Sequence, residues 1–205
     1  HGLIVLSGPP GNGKTTLARG LANEVARALN PKSATFIQID PHALASTALG
    51  RSQKEDTKLF QQTIPELAAQ GPVIVLLDEV ETLIADRHQL SLEANPVDVH
   101  RATDAALAGL DLLTRQHQNV LLIATTNFPK ALDGALLSRA DLIEQIGPPD
   151  ESAREEIIKE VLKHLAQHWS AIGYLVKNVK QFVEESDGLD GRRLRKAFIA
   201  AIASS

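Results

Sequence analysis

The 205-residue sequence contains no cysteine, which excludes a disulfide framework and a zinc site built from thiolates. Its formal net charge is −4 and no block of lysine and arginine stands out, so nucleic acid is not expected as a direct partner. No apolar run approaches the roughly 20 residues that a membrane-spanning helix needs. No signal peptide precedes the first predicted strand. Because the sequence begins next to that strand, we expect further sequence upstream. We therefore expect a cytoplasmic protein with no membrane partner.

A glycine-rich loop between a predicted strand and a predicted helix is the strongest feature that is present. The apolar run Leu3–Leu6 leads into G-x-x-x-x-G-K-[ST], which occupies Gly8 to Thr15. Glycines let backbone N–H groups turn toward an anion, and the helix N-terminus adds partial positive charge there. This pattern predicts a phosphate-binding P-loop. The predicted nucleotide-binding residues are Gly8, Pro9, Pro10, Gly11, Asn12, Gly13, Lys14, Thr15 and Thr16.

The loop and one later acidic pair predict a site for a nucleoside triphosphate with Mg²⁺. Lys14 is expected to reach the outer phosphates, and the Thr15 hydroxyl is expected in the Mg²⁺ shell. Asp78 and Glu79 directly follow the apolar run Val73–Leu77. Asp78 is the expected carboxylate ligand of Mg²⁺, and Glu79 would polarise the attacking water. A solvated strand end is the alternative interpretation of this pair. The sequence has no Asn-Lys-x-Asp motif for guanine, which favours ATP.

Strands and helices are predicted to alternate through the first two thirds of the chain. The predicted strands are Leu3–Ser7, Ala34–Ile39, Val73–Leu77, Val120–Ala124 and Leu142–Ile146. The predicted helices are Gly13–Leu29, Gln53–Gln70 with a kink or restart at Pro65, and Arg101–Gln116, with an irregular section over Ala85–Val99. In the first helix the spacing predicts one buried stripe of Leu17, Leu21, Val25 and Leu29. This alternation predicts an α/β fold with a parallel, helix-covered sheet.

Only helices are predicted after Gly147-Pro148-Pro149, which is the expected domain boundary. We therefore expect a nucleotide-binding α/β domain over residues 1–147 and a small helical domain over residues 148–205. Ser152 and Glu155 have the spacing of a capping box at the start of the first of these helices. The last helix is predicted over about Gly191–Ala203.

Four further polar residues are candidates for the site. Asn127 ends the fourth strand, and a neutral amide there could orient water near the γ-phosphate; a turn-forming asparagine is the alternative. Arg139 precedes the fifth strand and is equally compatible with a solvated surface charge. Arg192 and Arg193 lie in the first turn of the last helix, where cations oppose the helix macrodipole unless an anion faces them. The alternative for this pair is an ion pair with Asp190.

Taken together, these residues resemble the AAA+ ATPases over essentially the whole chain. Gly8–Thr15 resembles Walker A, and Val75–Glu79 resembles Walker B with its catalytic glutamate. Asn127 matches sensor 1, Arg139 the arginine finger, and Gly188–Arg192 the sensor 2 region. The resemblance implies catalytic roles for these residues, a five-stranded parallel sheet of order 5-1-4-3-2, a helical lid, ATP and Mg²⁺ as ligands, and a homo-hexameric ring.

Within AAA+, the sequence is most similar to the family of pachytene checkpoint protein 2, also called thyroid-receptor-interacting protein 13, and its bacterial members. The segments that carry this resemblance are Asp78–Glu81, Ser138–Leu142, Ile146–Pro149 and Gly191–Lys196. The family remodels HORMA-domain proteins by unfolding their N-terminal segment through the ring pore. Bacterial members belong to anti-phage operons that also encode a HORMA protein and a nucleotidyltransferase. The resemblance therefore implies ATP-driven remodelling of a HORMA-domain protein in antiviral defence.

Two features of the family are altered or absent. The pore loop is expected within His42–Ser52, where such loops usually carry an aromatic residue, but this segment offers only Leu49. The N-terminal substrate-recognition domain of the family is not in the sequence. The alternatives that remain are another AAA+ unfoldase or disassembly ATPase, and a nucleotide-gated scaffold with no meaningful turnover. Glu79, Asn127 and Arg139 argue against the scaffold, which would need none of them.

Of the two arginines in the first turn of the last helix, Arg192 is predicted to sense the phosphate. Adjacent helical residues point about 100° apart, so only one of the pair can readily face the nucleotide. Arg192 has the sensor 2 position, while Leu194, Ala197 and Phe198 are expected on the buried side of the helix.

Overall fold

The computed structural model describes residues 2–29, 34–39, 57–82, 96–132 and 134–203. The chain divides into two compact units, of which the first contains residues 1–8 and 14–145 and the second residues 9–13 and 146–205. Each unit has its own apolar core. The functional roles expected for residues 1–147 and 148–205 stay predictions.

A five-stranded parallel sheet forms the centre of the first unit. Its strands are β1 (Leu3–Ser7), β2 (Thr35–Ile39), β3 (Val73–Leu77), β4 (Val120–Thr126) and β5 (Leu142–Gln145). Their order is β2-β3-β4-β1-β5, and every neighbouring pair is parallel. Read from the other edge, this is the predicted order 5-1-4-3-2, so the predicted fold class is confirmed.

Burial across the sheet follows strand position. All five residues of β3 are buried, as are all but one in β4, because a central parallel strand is covered on both faces. The edge strands differ: β2 alternates between partly buried and exposed side chains before the buried Ile39, and β5 is exposed throughout. β4 extends two residues beyond the predicted strand, since Thr125 and Thr126 pair with Leu6 and Ser7 of β1. The carboxyl ends of β1, β3 and β4 therefore lie side by side.

The described helices of the first unit are α1 (Lys14–Leu29), α2 (Ile64–Ala68), α3 (Pro96–Gln116) and the short α4 (Gly134–Leu137). A π-helical turn, Leu59–Thr63, precedes α2. Pro65 falls in the first turn of α2, where its missing N–H needs no helical acceptor. At the predicted kink or restart, the π-helical turn changes to α2 at Ile64, while Thr63 and Ile64 keep right-handed helical dihedral angles. Phe60 in the π-helical turn is fully buried against Gly109, where an added Cβ would come within 2.5 Å of the Phe60 Cβ.

The prediction for the buried face of α1 is wrong. Leu17 and Leu29 are 48% and 51% exposed, whereas Lys14, Ala18 and Ala22 are buried. These three residues are four apart and share one helix face. Because the Lys14 side chain points inward to hydrogen-bond partners described below, that face turns toward the sheet. Alanines at the next two turns then pack closely.

Helix α3 begins earlier than predicted. The sequence predicted an irregular section up to Val99, but the helix starts at Pro96. Proline favours the first helical position because its fixed φ suits the helix and its missing N–H has no partner there. The rest of the irregular section lies outside the described residues.

The second unit is helical in its described chain from residue 151 onward. Its elements are α5 (Glu151–Ala166), a 3₁₀ segment (Ser170–Asn178), α6 (Val179–Glu185) and α7 (Gly191–Ala203). Its core includes Ile158, Leu162 and Leu194. The capping box predicted at Ser152 and Glu155 is wrong, because the N-cap is Asp150, whose carboxylate accepts the Ala153 N–H at 2.8 Å. Asp150 has the extended backbone of an N-cap residue, with a ψ of 177°, so the helix begins two residues before the position that the box requires.

Some predicted features lie outside the described residues. They are the helix stop at Asn30-Pro31, the strand end at Asp40-Pro41, and the expected pore loop His42–Ser52 with Leu49. Among the described residues, no helix is long and apolar enough to cross a membrane.

Candidate functional site

Lys14 is held at the carboxyl edge of the sheet in the first unit. It is the first residue of α1 and is only 6% exposed. Its Nζ donates to the Gly8 carbonyl at 2.7 Å and to Asn127 Oδ1 at 2.8 Å. Gly8 follows β1 with a φ of 148°, and its N–H donates to the Thr126 carbonyl at 3.2 Å. The ammonium group is thus fixed where β1 and β4 end.

Asn127 joins Lys14 to the acidic pair that follows β3. Its Nδ2 donates to Glu79 Oε1 at 3.1 Å, while its Oδ1 accepts from Lys14. Its backbone N–H donates to Glu81 Oε1 at 3.0 Å. The amide therefore lies between a cation and a carboxylate, with its backbone held by a second carboxylate. The turn interpretation of this asparagine does not account for these side-chain bonds.

Thr15 and Asp78 form the part of the site that would hold Mg²⁺. The Thr15 hydroxyl donates to Asp78 Oδ1 at 2.8 Å. A hydroxyl and a carboxylate are oxygen ligands of the kind that Mg²⁺ prefers. The described residues contain no group of three or more His, Cys, Asp or Glu side chains that could hold a metal alone. Mg²⁺ is usually bound by one or two carboxylates together with substrate phosphates and water.

Glu79 has an unusual backbone. Its φ is 56°, and it is the one non-glycine residue of the described chain with a positive φ. The left-handed region costs a residue with a Cβ roughly 1–2 kcal/mol, and such conformations concentrate at functional sites. The strain turns the chain sharply after Asp78, so that Glu79 reaches Asn127.

The P-loop residues 9–13 belong to the second unit, where Gly11 packs against the start of α7. Gly11 has a φ of 89°, and a Cβ there would overlap the Asp190 carboxylate. The Gly11 carbonyl accepts the Arg192 N–H at 3.2 Å. Asn12 Nδ2 donates to the Ile146 carbonyl at 3.2 Å. Position 11 therefore requires glycine, because its φ is positive and a side chain there would collide with Asp190.

The remaining predicted P-loop residues take more open positions. Pro9, Pro10, Gly13 and Thr16 are exposed. Gly13 has a φ of 85°, in the region that favours glycine. Asn12 Oδ1 is buried and has no hydrogen-bond partner within the described part of the chain.

The two arginines at the start of α7 have different surroundings. Arg193 Nε lies 3.3 Å from Asp190 Oδ2, and the Arg193 N–H donates to Asp190 Oδ1 at 2.8 Å. The Asp190 ion pair considered from the sequence is therefore present, and it involves Arg193. Arg192 is exposed and shows no side-chain hydrogen bond to any residue that the structure describes. Leu194 and Phe198 face the core as expected, but Ala197 is exposed, so its predicted burial is wrong.

Arg139 is paired within the first unit. Its Nε and Nη2 bond the two carboxylate oxygens of Asp111 on α3, the second at 2.7 Å, and its Nη1 bonds the Ala135 carbonyl. The hydrogen bonds from Arg139 hold the pKa of Asp111 below its usual value. The bidentate pair fixes the guanidinium plane.

The catalytic and binding roles of Glu79, Asn127, Arg139, Arg192 and the P-loop stay predictions, but the geometry brings part of this set together. Lys14, Thr15, Asp78, Glu79 and Asn127 form one hydrogen-bonded cluster in the first unit. Sequence reasoning missed the residues that support this cluster and Arg139. They are Glu81, Asp111 and Thr125. Thr125 could have been found, since it lies two residues before Asn127 and strand side chains two apart share a face.

Comparisons with known proteins identify the family and several relatives of the chain. The family described as "ATPase family associated with various cellular activities (AAA)" matches residues 4–148. CD-NTase-associated protein 6 of Pseudomonas aeruginosa is 49% identical over 207 residues, covering 100% of this chain and 68% of that protein. Putative pachytene checkpoint protein 2 of Caenorhabditis elegans is 38% identical over 180 residues, covering 86% of this chain and 41% of that protein. The chain thus spans less than half of the nematode relative.

Solved structures show the same fold. C. elegans PCH-2 superposes with a TM-score of 0.76 at 30% identity, over 99% of this chain and 56% of that one. The FIGL-1 AAA domain in complex with ADP superposes with a TM-score of 0.67 at 23% identity, over 94% of this chain and 57% of that one. The second likeness concerns the fold alone.

Proposed function

The chain belongs to the AAA family of ATPases, in the branch of CD-NTase-associated protein 6 and pachytene checkpoint protein 2, and we propose that it couples ATP hydrolysis to the remodelling of a HORMA-domain protein. The working unit in this proposal is a homo-hexameric ring. The proposed setting is a bacterial anti-phage signalling system in the cytoplasm.

The hydrogen-bonded chain from Lys14 through Asn127 to Glu79 is the observation that carries the hydrolysis half of the proposal. In this proposal the outer phosphates replace the Gly8 carbonyl and Asn127 Oδ1 as acceptors of the Lys14 ammonium group. Glu79 orients the attacking water and accepts its proton, and Asn127 keeps the carboxylate in place. Because Asn127 Nδ2 already bonds Glu79 Oε1, the carboxylate needs little rearrangement to act on the water.

Thr15 and Asp78 would hold Mg²⁺ in the ATP-bound protein. When bound, the ion neutralises charge on the β- and γ-phosphates. The Thr15 hydroxyl and the Asp78 carboxylate already lie within hydrogen-bond distance, so both oxygens are gathered in one place.

Support for the remodelling half comes from the resemblance and from the extent of the similarity. The chain is 49% identical to CD-NTase-associated protein 6 over its whole length, and this identity supports the proposal that the two proteins act in the same kind of system. That protein's name associates it with a CD-NTase, which agrees with the nucleotidyltransferase operons expected from the sequence. We propose the ring on the basis of the same resemblance. In that ring Arg139 acts on the nucleotide site of a neighbouring copy.

The proposal is tested with the full protein that carries this chain and a purified HORMA-domain protein. Steady-state ATP hydrolysis is measured with and without that partner, and hydrogen exchange follows the partner's N-terminal segment. The proposal expects faster hydrolysis in the partner's presence and ATP-dependent loss of protection in that segment. Glu79→Gln should abolish both effects, whereas Glu156→Gln, an exposed acid on α5, should preserve both.

Each alternative gives a different result in the same experiment. Stimulation by an unrelated folded protein but not by the HORMA protein would contradict the HORMA substrate and indicate a different unfoldase. Tight ATP binding without turnover in the wild type would indicate a nucleotide-gated scaffold. Mass measurement of the ATP-bound Glu79→Gln protein should give six copies, and any other closed ring contradicts the hexamer.

A further inference from the structure

Thr125 is a buried hydroxyl that bonds both residues of the acidic pair. It lies near the carboxyl end of β4 and is 1% exposed. Its Oγ1 donates to Asp78 Oδ1 at 2.6 Å and accepts the Glu79 N–H at 3.1 Å. A threonine hydroxyl has one donor hydrogen, and here a carboxylate accepts it. The sheet register brings the groups together, since Leu77 pairs with Ala124 immediately before them.

The first bond fixes the orientation of the Asp78 carboxylate. Oδ1 accepts from Thr125 at 2.6 Å and from Thr15 at 2.8 Å. Because two hydroxyls on different elements bind the same oxygen, the carboxylate plane has little freedom to rotate. A hydroxyl bonded to a ligating carboxylate acts on a metal site by orienting its ligand.

The second bond holds the strained backbone of Glu79. A φ of 56° is unfavourable for glutamate, so the chain needs local interactions that select it. In this conformation the Glu79 N–H donates to the Thr125 hydroxyl at 3.1 Å. The same turn brings Glu79 Oε1 to Asn127.

We propose that Thr125 is a positioning residue for ATP hydrolysis, acting through Asp78 and Glu79. Its hydroxyl sets the Asp78 carboxylate for Mg²⁺ and keeps Glu79 in the left-handed conformation that aims its side chain at Asn127. The inference rests on the roles assigned to Asp78 and Glu79, and it does not depend on which protein is remodelled.

The neighbouring Thr126 provides a matched control. It is also fully buried in β4, but its hydroxyl accepts the Phe128 N–H at 3.0 Å rather than bonding the acidic pair. Thr125→Val and Thr126→Val each replace a buried hydroxyl with a methyl group of the same shape. A merely structural role for Thr125 predicts the same effects from both.

The experiment measures ATP hydrolysis as a function of Mg²⁺ concentration, and binding of fluorescent ADP with Mg²⁺ and with EDTA. We expect Thr125→Val to lower kcat about 10–100-fold and to shift half-maximal activity to higher Mg²⁺, as typical for lost outer-shell partners of metal ligands. Its ADP affinity in EDTA should equal that of the wild type, while the increase on adding Mg²⁺ should be smaller. Thr125→Ser should restore most of both properties, and Thr126→Val should leave the Mg²⁺ dependence unchanged.

Three results would overturn the inference. The first is wild-type kcat and Mg²⁺ dependence in Thr125→Val, and the second is an equal shift in Thr126→Val. The third is failure of Thr125→Ser to recover the Mg²⁺ dependence. If Thr125→Val does not fold, Thr125→Ala carries the same comparison. Asp78→Asn and Glu79→Gln are measured in parallel: wild-type hydrolysis in these two overturns the site assignment itself, whereas their loss with an unaffected Thr125→Val overturns only the role of Thr125.

Discussion

Two cationic side chains, one in each unit, are held in different ways. In the first unit, Lys14 is 6% exposed and its ammonium donates to a carbonyl and to the amide of Asn127. In the second unit, the side chain of Arg193 is 75% exposed and pairs with Asp190 on its own helix turn. Moving a solvated arginine is inexpensive, because exposed ion pairs contribute about 0–1 kcal/mol. Moving Lys14 breaks a buried network.

This difference separates two kinds of task. Buried groups with fixed hydrogen-bond partners suit chemistry that needs constant geometry, such as water activation. Exposed cations on a helix turn suit a response, since they can change partner when a charge appears. We therefore expect substitutions in the first-unit cluster to slow hydrolysis strongly, and substitution of the exposed Arg192 at the start of α7 to slow it less.

The largest effect is expected at Arg139, which the structure fixes on Asp111. We expect Arg139 to complete the site of a neighbouring copy. Arginine fingers contribute about 10³–10⁵ in rate in other NTPases, so Arg139→Ala should hydrolyse ATP more slowly by a factor in that range. Nucleotide affinity, measured by titration, should stay near the wild-type value, and Arg115→Ala on the same helix as Asp111 serves as the control.

Mixing variants tests whether the finger acts between copies. Lys14→Ala loses the phosphate-binding cation, and Arg139→Ala loses the finger. A mixed ring can place an intact Lys14 site beside an intact Arg139, so the mixture should recover part of the activity. Absence of recovery in rings shown to be mixed would contradict a shared site.

An intermediate effect is expected at the start of α7. Arg192→Ala should slow ATP hydrolysis about tenfold or more, because losing a hydrogen bond from Arg192 to a charged phosphate has an effect of about that size. Arg193→Ala should retain most activity, because that side chain pairs with Asp190. Steady-state hydrolysis at saturating ATP compares the two. An equal loss in both variants would remove the distinction between them.

The smallest effect concerns the pH dependence of stability at Asp111. Hydrogen bonds from Arg139 lower the pKa of Asp111 in the folded state, while the unfolded value is about 3.9. The stabilisation is therefore present above the unfolded pKa and is lost as pH falls through the lower folded pKa. Asp111→Asn should reduce the free energy of unfolding by about 1 kcal/mol at pH 7. In urea unfolding that difference should shrink toward pH 3, and a constant difference would contradict the ion pair.

The sheet and the P-loop could be predicted from sequence because they depend on local patterns. Apolar runs bounded by Gly, Asp or Asn mark central strands, and the glycine spacing of Gly8–Lys14 has one well-known structural use. The family resemblance supplied the strand order, which local periodicity alone does not determine. Pro65 marked the change of helix type at Ile64 for a similarly local reason.

Features that depend on partners distant in sequence could not be predicted in this way. The leucine spacing of α1 suggested the wrong face, because inward anchoring of Lys14 by Asn127 turns Ala18 toward the sheet. Thr125 and Asp111 are ordinary in sequence, and only the register of β3 with β4 and the packing of α3 against the Arg139 segment give them partners.

The central claim is that the first-unit cluster hydrolyses ATP and that Glu79 activates the water. The direct measurement compares ATP affinity and single-turnover hydrolysis in the wild type and in Glu79→Gln. Glutamine keeps the shape and can still bond Asn127, but it cannot accept a proton. We expect undiminished binding of ATP with Mg²⁺ and hydrolysis slower by about 10²–10⁴, the usual contribution of a general base. Wild-type turnover in Glu79→Gln would contradict the claim.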